Sequence, residues 1–164
     1  MNGDSNHFYG KYRGVVTNTD DPDSRARIRA TVPAVFGDEE SGWALPCAPY
    51  VGEGVGAIAI PPVNALVWIE FEHGDPEYPI WTGGFWGSGG ETPAGGAIAD
   101  IKLVKSQQHL LKLDDAESTL TLEAPNGMKI VLGPEGIELN NGQGATIKLQ
   151  GNQVLINDGA LEVT

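Results

Sequence analysis

Apolar and polar positions alternate along this chain in two different ways. Over residues 8–88 the apolar residues fall in short runs rich in β-branched and aromatic types, separated by Gly, Pro, Asn and Asp. That spacing predicts strands: Phe8 to Thr17, Arg25 to Val32, Trp43 to Ala48, Val55 to Ile60, Ala65 to Glu72 and Tyr78 to Trp86. In the fifth run, Leu66, Trp68 and Glu70 face one way and Val67, Ile69 and Phe71 the other. Asn18 to Asp23 and His73–Gly74–Asp75–Pro76 supply turn chemistry. No stretch here has a helical period of useful length. Short strands in this number predict a small closed or nearly closed barrel, because closure removes exposed sheet edges.

Over residues 101–164 the pattern becomes a repeat of apolar–x–apolar followed by a turn. The pairs are Leu111/Leu113, Leu120/Leu122, Ile130/Leu132, Ile137/Leu139, Ile147/Leu149, Val154/Ile156 and Leu161/Val163, recurring every 7 to 10 residues. Turn residues lie between them, among them Pro125–Asn126–Gly127, Asn140–Asn141–Gly142 and Asn157–Asp158–Gly159. Each strand offers one narrow apolar stripe and a polar outer face of Lys, Thr, Glu and Gln. A single chain of this kind leaves its stripe uncovered and its edges open. Winding several chains about one axis buries the stripes and satisfies the edges. A single-chain solenoid or an ordinary meander is the plainer alternative. The chain therefore divides into a tail (1–7), a barrel (8–88), a Gly-rich linker (89–100) and a repeat region (101–164).

Composition sharpens this picture. Gly (23) and Pro (11) are frequent but spread out, as turns between many strands require. The net charge is −12, and residues 1–100 carry 14 acidic against 5 basic side chains. Such a surface repels phosphate backbones and disfavours a nucleic-acid partner. Cys47 is the lone cysteine. It rules out an intramolecular disulfide and, between Pro46 and Ala48, reads as a small buried apolar residue. The first residues lack a signal-peptide pattern, and no apolar stretch is long enough for a transmembrane helix.

Candidate chemistry is sparse. His7, His73 and His109 lie far apart, so no metal site is expected. Asp20–Asp21–Pro22–Asp23 lacks the remaining positions of a calcium loop. Gly52 to Gly56 lacks dinucleotide-loop spacing, and Ser88 is not in a nucleophile elbow. Glu70 and Glu72 share a spacing of two but read as an exposed barrel face. No catalytic or cofactor-binding residue is assigned. Trp68, Tyr78, Trp81, Phe85 and Trp86 could line an aromatic glycan- or protein-binding face, the alternative reading of the barrel.

Particular runs carry a family resemblance. They are Gly14–Val15–Val16–Thr17–Asn18, Arg27–Ile28–Arg29–Ala30–Thr31–Val32–Pro33, Ser41–Gly42–Trp43–Ala44 and the long run from Pro62 to Gly83. The last is the most specific: Phe71–Glu72–His73–Gly74–Asp75, then Tyr78–Pro79 and a Gly-rich strand. Residues 8–87 resemble the OB-fold domain of phage baseplate spikes and of VgrG-type proteins of type VI secretion. The repeat region resembles their intertwined triple-stranded β-helix. Ala26 stands where the family usually has Gly, and Asn64 where it has Gly or another small residue.

The resemblance implies an all-β homotrimer: an OB-fold barrel followed by a trimeric β-helix, its core built from the fourteen stripe residues Leu111 to Val163. It implies a structural spike without enzymatic activity. A hub protein would sit at the end of the tail tube, and a PAAR-type tip protein at the C-terminal end. The spike would be assembled in the bacterial cytoplasm into a virion or tail-like particle, and would contact the target envelope only on firing. The lysozyme domain, the preceding hub domain and the terminal His-x-His iron site of some relatives have no counterpart in these residues. The ending Gly159 to Thr164 resembles an unfinished strand suited to capping.

Overall fold

A computed structural model describes residues 7–94, 99–158 and 160–163, with the side chains of Glu162 and Val163 outside the description. Of the expected tail, only His7 falls among the described residues. The chain forms two compact units, residues 1–87 and 88–164.

The first unit contains β1 (Tyr12–Asn18), β2 (Arg29–Thr31), the single helical turn α1 (Pro33–Phe36), β3 (Leu45–Pro46), β4 (Val51–Gly52), β5 (Val55–Gly56), β6 (Leu66–Phe71) and β7 (Pro79–Gly84). Five strands make one sheet in the order β2–β1–β6–β7–β3. Its two ends are tied together: Ile28 and Ala44 exchange backbone hydrogen bonds of 3.2 and 2.8 Å. The sheet thereby closes on itself, as the edge argument requires.

The core is Val16, Ile28, Ala30, Val32, Ala44, Val67, Ile69 and Phe71. In β6, Val67, Ile69 and Phe71 are buried and Leu66, Trp68 and Glu70 half-buried, following the expected alternation. Pro33 opens α1 at a position where its missing N–H costs no helix bond. That turn interrupts the strand pattern without leaving a sequence period.

Several strands are shorter than their apolar runs. β1 begins at Tyr12, after Gly10 turns with φ +88, and Phe8 instead donates its N–H to Gly74 O at 2.8 Å. The run Arg25 to Val32 yields only Arg29–Thr31, because Ser24 and Ala26 adopt left-handed backbone with φ 53 and 58. Of Val55 to Ile60 only Val55–Gly56 pairs, in a two-rung hairpin with Val51–Gly52. Cys47 is exposed rather than buried. Its backbone N–H donates to Trp81 O at 2.9 Å while its side chain stays outside the core.

The left-handed loop is held by one carboxylate. Asp21 accepts from the backbone N–H of Asp23 (3.1 Å), Arg25 (2.7 Å) and Arg27 (3.2 Å), and from Arg27 Nε (2.9 Å). Arg27 and Arg29 lie over the Trp43 ring at 5.6 and 4.9 Å. Trp81 Nε1 donates to Ala26 O at 3.1 Å, tying the loop to β7. Asn64, the other departure from the family pattern, also takes a left-handed φ of 72, a conformation Asn tolerates better than Ala.

The second unit is an eight-stranded antiparallel meander: β8 (Ile101–Lys105), β9 (Leu110–Asp114), β10 (Thr119–Glu123), β11 (Met128–Gly133), β12 (Gly136–Asn141), β13 (Thr146–Gln150), β14 (Gln153–Ile156) and β15 (Leu161–Val163). Every strand pairs with its neighbours in sequence. The inner edges assigned above to neighbouring chains are met within the chain instead, because turns of two or four residues let each strand fold straight back on the last. β8 extends the meander by one strand beyond the apolar-pair repeat.

Two outcomes are expected for the first unit. The Arg27 guanidinium, followed by the three backbone donors, holds the Asp21 pKa well below its ordinary 3.8. A depressed pKa contributes stability above the unfolded value that is lost as pH falls toward the folded one. Asp21→Asn should lower the thermal midpoint at pH 7, and the gap from wild type should shrink progressively below about pH 4 when both are followed by circular dichroism. Ala26→Gly removes the left-handed cost of a Cβ and should stabilise the unit by about 1 kcal/mol in denaturant titration; a lower midpoint would contradict this loop geometry.

Candidate functional site

The fourteen stripe residues sit in register. Leu111, Leu122, Ile130, Leu139, Ile147, Ile156 and Leu161 are successive cross-strand partners, one from each of β9 to β15. Leu113, Leu120, Leu132, Ile137, Leu149, Val154 and Val163 form a second ladder beside the first. Paired residues share a face, and so do residues two apart on a strand. One face of the sheet therefore carries both ladders. The side chain of Val163 lies outside the description, and its backbone pairs with Val154.

The face reaches further than the apolar-pair repeat indicates. Val104 continues the first ladder as the partner of Leu111, and Met128 stands two residues before Ile130 on the same face. Val104 was legible only as the second member of an apolar pair with a polar first member, because its ladder neighbour on β8 is Lys102, opposite Leu113.

This apolar face is uncovered. Ile130, Leu132, Ile137, Leu139, Ile147 and Leu149 are 37–41% exposed and Val104 is 71% exposed. On the opposite face, Lys129, Val131, Glu138 and Lys148 are more buried than these apolar neighbours. Among the described residues the second unit has no buried hydrophobic side chain; its one buried residue is Asp114. The first ladder from Leu111 to Ile156, with Val104, lines an open trough of about 860 Å³. With strands about 4.8 Å apart, eight of them make a slab roughly 34 Å long. An exposed apolar strip of this length marks an interaction surface.

The turns permit this register at two close backbone approaches. Gly136 has φ +125, and a Cβ there would lie 1.9 Å from Leu149 O; at Gly142, φ +72, it would lie 2.0 Å from Asn126 O. Asn157 and Asp158 both have positive φ, 52 and 54, matching the twist of a tight hairpin between β14 and β15.

The other candidates do not assemble into a site. Trp81 lies beside Ile69 on the barrel's core side, whereas Trp68 stacks on Phe85 at 4.6 Å with Arg13 beside both rings. The aromatic residues therefore do not share one face. Glu70 pairs with Lys11 Nζ at 2.7 Å, and Glu72 lies in the turn that follows β6. Among the described residues no cluster of His, Cys, Asp or Glu could hold a metal ion, and no helix is long and apolar enough to cross a membrane. The signature turn is structural: Glu72 N–H donates to Tyr78 O and Tyr78 N–H to Asp75 O, each at 3.0 Å. Gly74, with φ +79, leaves no room for a Cβ against His7, Phe8 and Tyr9.

Comparison with known families bears on both units. Residues 12–86 match the injector OB domain of type VI secretion systems and phage baseplates. Residues 100–162 match the phage baseplate V C-terminal trimerisation domain. The chain is a VgrG-like spike protein of contractile injection systems. No curated relative matches its sequence. The barrel of this spike protein is an OB-fold, and the uncovered sheet lies within its trimerisation domain. Its role is structural, and it is a component of a virion or tail-like particle.

Gly136→Ala should destabilise the second unit by about 2 kcal/mol or more, since the added methyl meets backbone rather than a movable side chain. Amide hydrogen exchange should quicken in β12 and β13 and remain unchanged in β1 and β6.

Proposed function

We propose that three copies of this chain pack their apolar sheet faces around a common axis, forming the stiff central spike of a baseplate. The observation that carries this reading is the pair of seven-residue apolar ladders, in register and uncovered, within a trimerisation domain. Because strands β8 to β15 already satisfy one another's hydrogen bonds, each chain supplies one whole wall of a three-sided column. The stripe residues Leu111 to Val163 are its core.

Covering such a core is hydrophobically driven. Each Leu, Ile or Val taken from partial exposure to full burial contributes on the order of 1 kcal/mol, about half the value for complete transfer. The same geometry suits a load-bearing rod. Its walls are continuous ladders of short hydrogen bonds, and its filling is close-packed and poorly compressible.

In this reading the spike closes the end of the tail tube and is driven into the target envelope when the machine fires. The barrels rest on a hub protein, and a PAAR-type tip caps the far end of the column. Assembly takes place in the bacterial cytoplasm before the particle acts outside. The acidic surface, −12 per copy, gives no footing for nucleic acid.

Light scattering on the purified chain should read a mass three times 17.3 kDa. Ile147→Asp places an unpaired charge in the core and should abolish the trimer. Lys148→Ala, one residue away on the opposite face, should leave it intact. An Ile147→Asp protein that remains trimeric with an unchanged midpoint would exclude this face as the interface.

A further inference from the structure

The barrel unit carries an apolar arm that its own fold does not use. Residues 49–60 are exposed without interruption, including Tyr50, Val51, Val55 and Ile58 at 60, 77, 53 and 73%. None of them belongs to the core cluster or packs against it. The arm is held by the two rungs of the β4–β5 hairpin and by Ala57 N–H donating to Tyr50 O at 2.9 Å. Beyond it, Ala57–Ile58–Ala59–Ile60 has strand composition and takes no ladder partner among the described residues. A segment of strand composition with exposed apolar side chains and no ladder partner is suited to joining another sheet or surface.

We infer that this arm clasps the barrel unit of a second copy of the chain. This rests on the trimer reading above, and two observations select that occupant. The first is charge. Each copy carries −12, so barrels brought together repel wherever their acidic surfaces meet. Between Cys47 and Leu66 the sole charged residue is Glu53, which makes the arm the surface through which like-charged copies can touch. The second is tethering. Residues 88–100 extend over at most about 45 Å, so a trimer formed by the second unit confines three barrels to a small volume. A weak contact between them then proceeds at millimolar effective concentration. Arm-to-barrel contact is head-to-tail, and under three-fold symmetry it closes after three copies. No copy is left with an exposed arm.

The test uses the full chain, purified alone, with the photoreactive residue p-benzoylphenylalanine replacing Ile58. A second protein carries it in place of Asp20, a charged exposed loop residue. Irradiation should link Ile58-position probes into covalent dimers and trimers at least ten-fold more efficiently than Asp20-position probes, with the linked peptides mapping to residues 8–87 of another copy. Light scattering on the same samples separates the two readings. A trimer whose position-58 probe forms no more intermolecular product than position 20 overturns the clasp and leaves the trimer standing. A monomer overturns both. Val51 carries the probe in a third protein, so that a local effect of replacing one side chain does not decide the result.

Discussion

A sheet one layer thick cannot hide an apolar face from water by itself. Fourteen aliphatic residues in register along two ladders impose that constraint on the second unit, and other features of the unit follow from it. Strands β9 to β15, three to six residues long, present just two stripe residues each, so the apolar strip is long and narrow. Polar residues border it on every strand. A helix laid across the strip would cover a few strands; a surface of the same length and width covers them all, and another copy of the sheet is such a surface. Register then becomes essential, since a slip of one residue would turn a strand's whole apolar set to the solvent side. Gly136 and Gly142 hold that register by letting backbone approach backbone where no side chain fits.

The barrel meets the same physical demand in the opposite way. Its sheet curls until Ile28 and Ala44 join the two ends, and the apolar faces meet inside one chain. The cost of so tight a closure falls on the loop before β2, where Ser24 and Ala26 are held left-handed. Asp21 offsets that cost by binding three backbone N–H groups and the Arg27 side chain at once. The residue at position 26 faces this strain because its carbonyl also receives the Trp81 indole N–H, linking the loop to the signature strand.

How much of this could be read from the sequence follows from the range over which each signal acts. The alternation in Leu66 to Phe71 and the apolar pairs of the repeat are local and periodic, and both appear in the fold as expected. The signature turn at Gly74–Asp75 was likewise legible, because a positive φ and an Asx bond are properties of a few adjacent residues. Strand ends were not. Arg25 to Val32 has strand composition throughout, yet a carboxylate six residues before Arg27 bends half of it into a loop. Cys47 reads as buried from its neighbours, but its burial depends on which way a two-residue strand faces after joining β7 in parallel. Val104 escaped notice because the residue two before it on the strand is Lys102 rather than an aliphatic one. Whether the repeat's edges are met within or between chains depends on turn length acting across the whole meander, and apolar spacing does not report it.

The contrast between the units bears on how the protein comes together. The barrel has eight buried hydrophobic residues of its own and a closed sheet. The trimerisation unit has none among the described residues, so in the trimer proposed above its stability resides in the contacts made on association. Folding and assembly of that unit are coupled in this reading and favoured by protein concentration, whereas the barrel has a core of its own. Ordering an open meander costs roughly 1–2 kcal/mol per residue in backbone entropy, which in-plane hydrogen bonds alone do not offset. In the proposed trimer the apolar ladders supply the difference by facing one another. In that trimer, the strip that leaves a lone chain exposed is what holds three chains together.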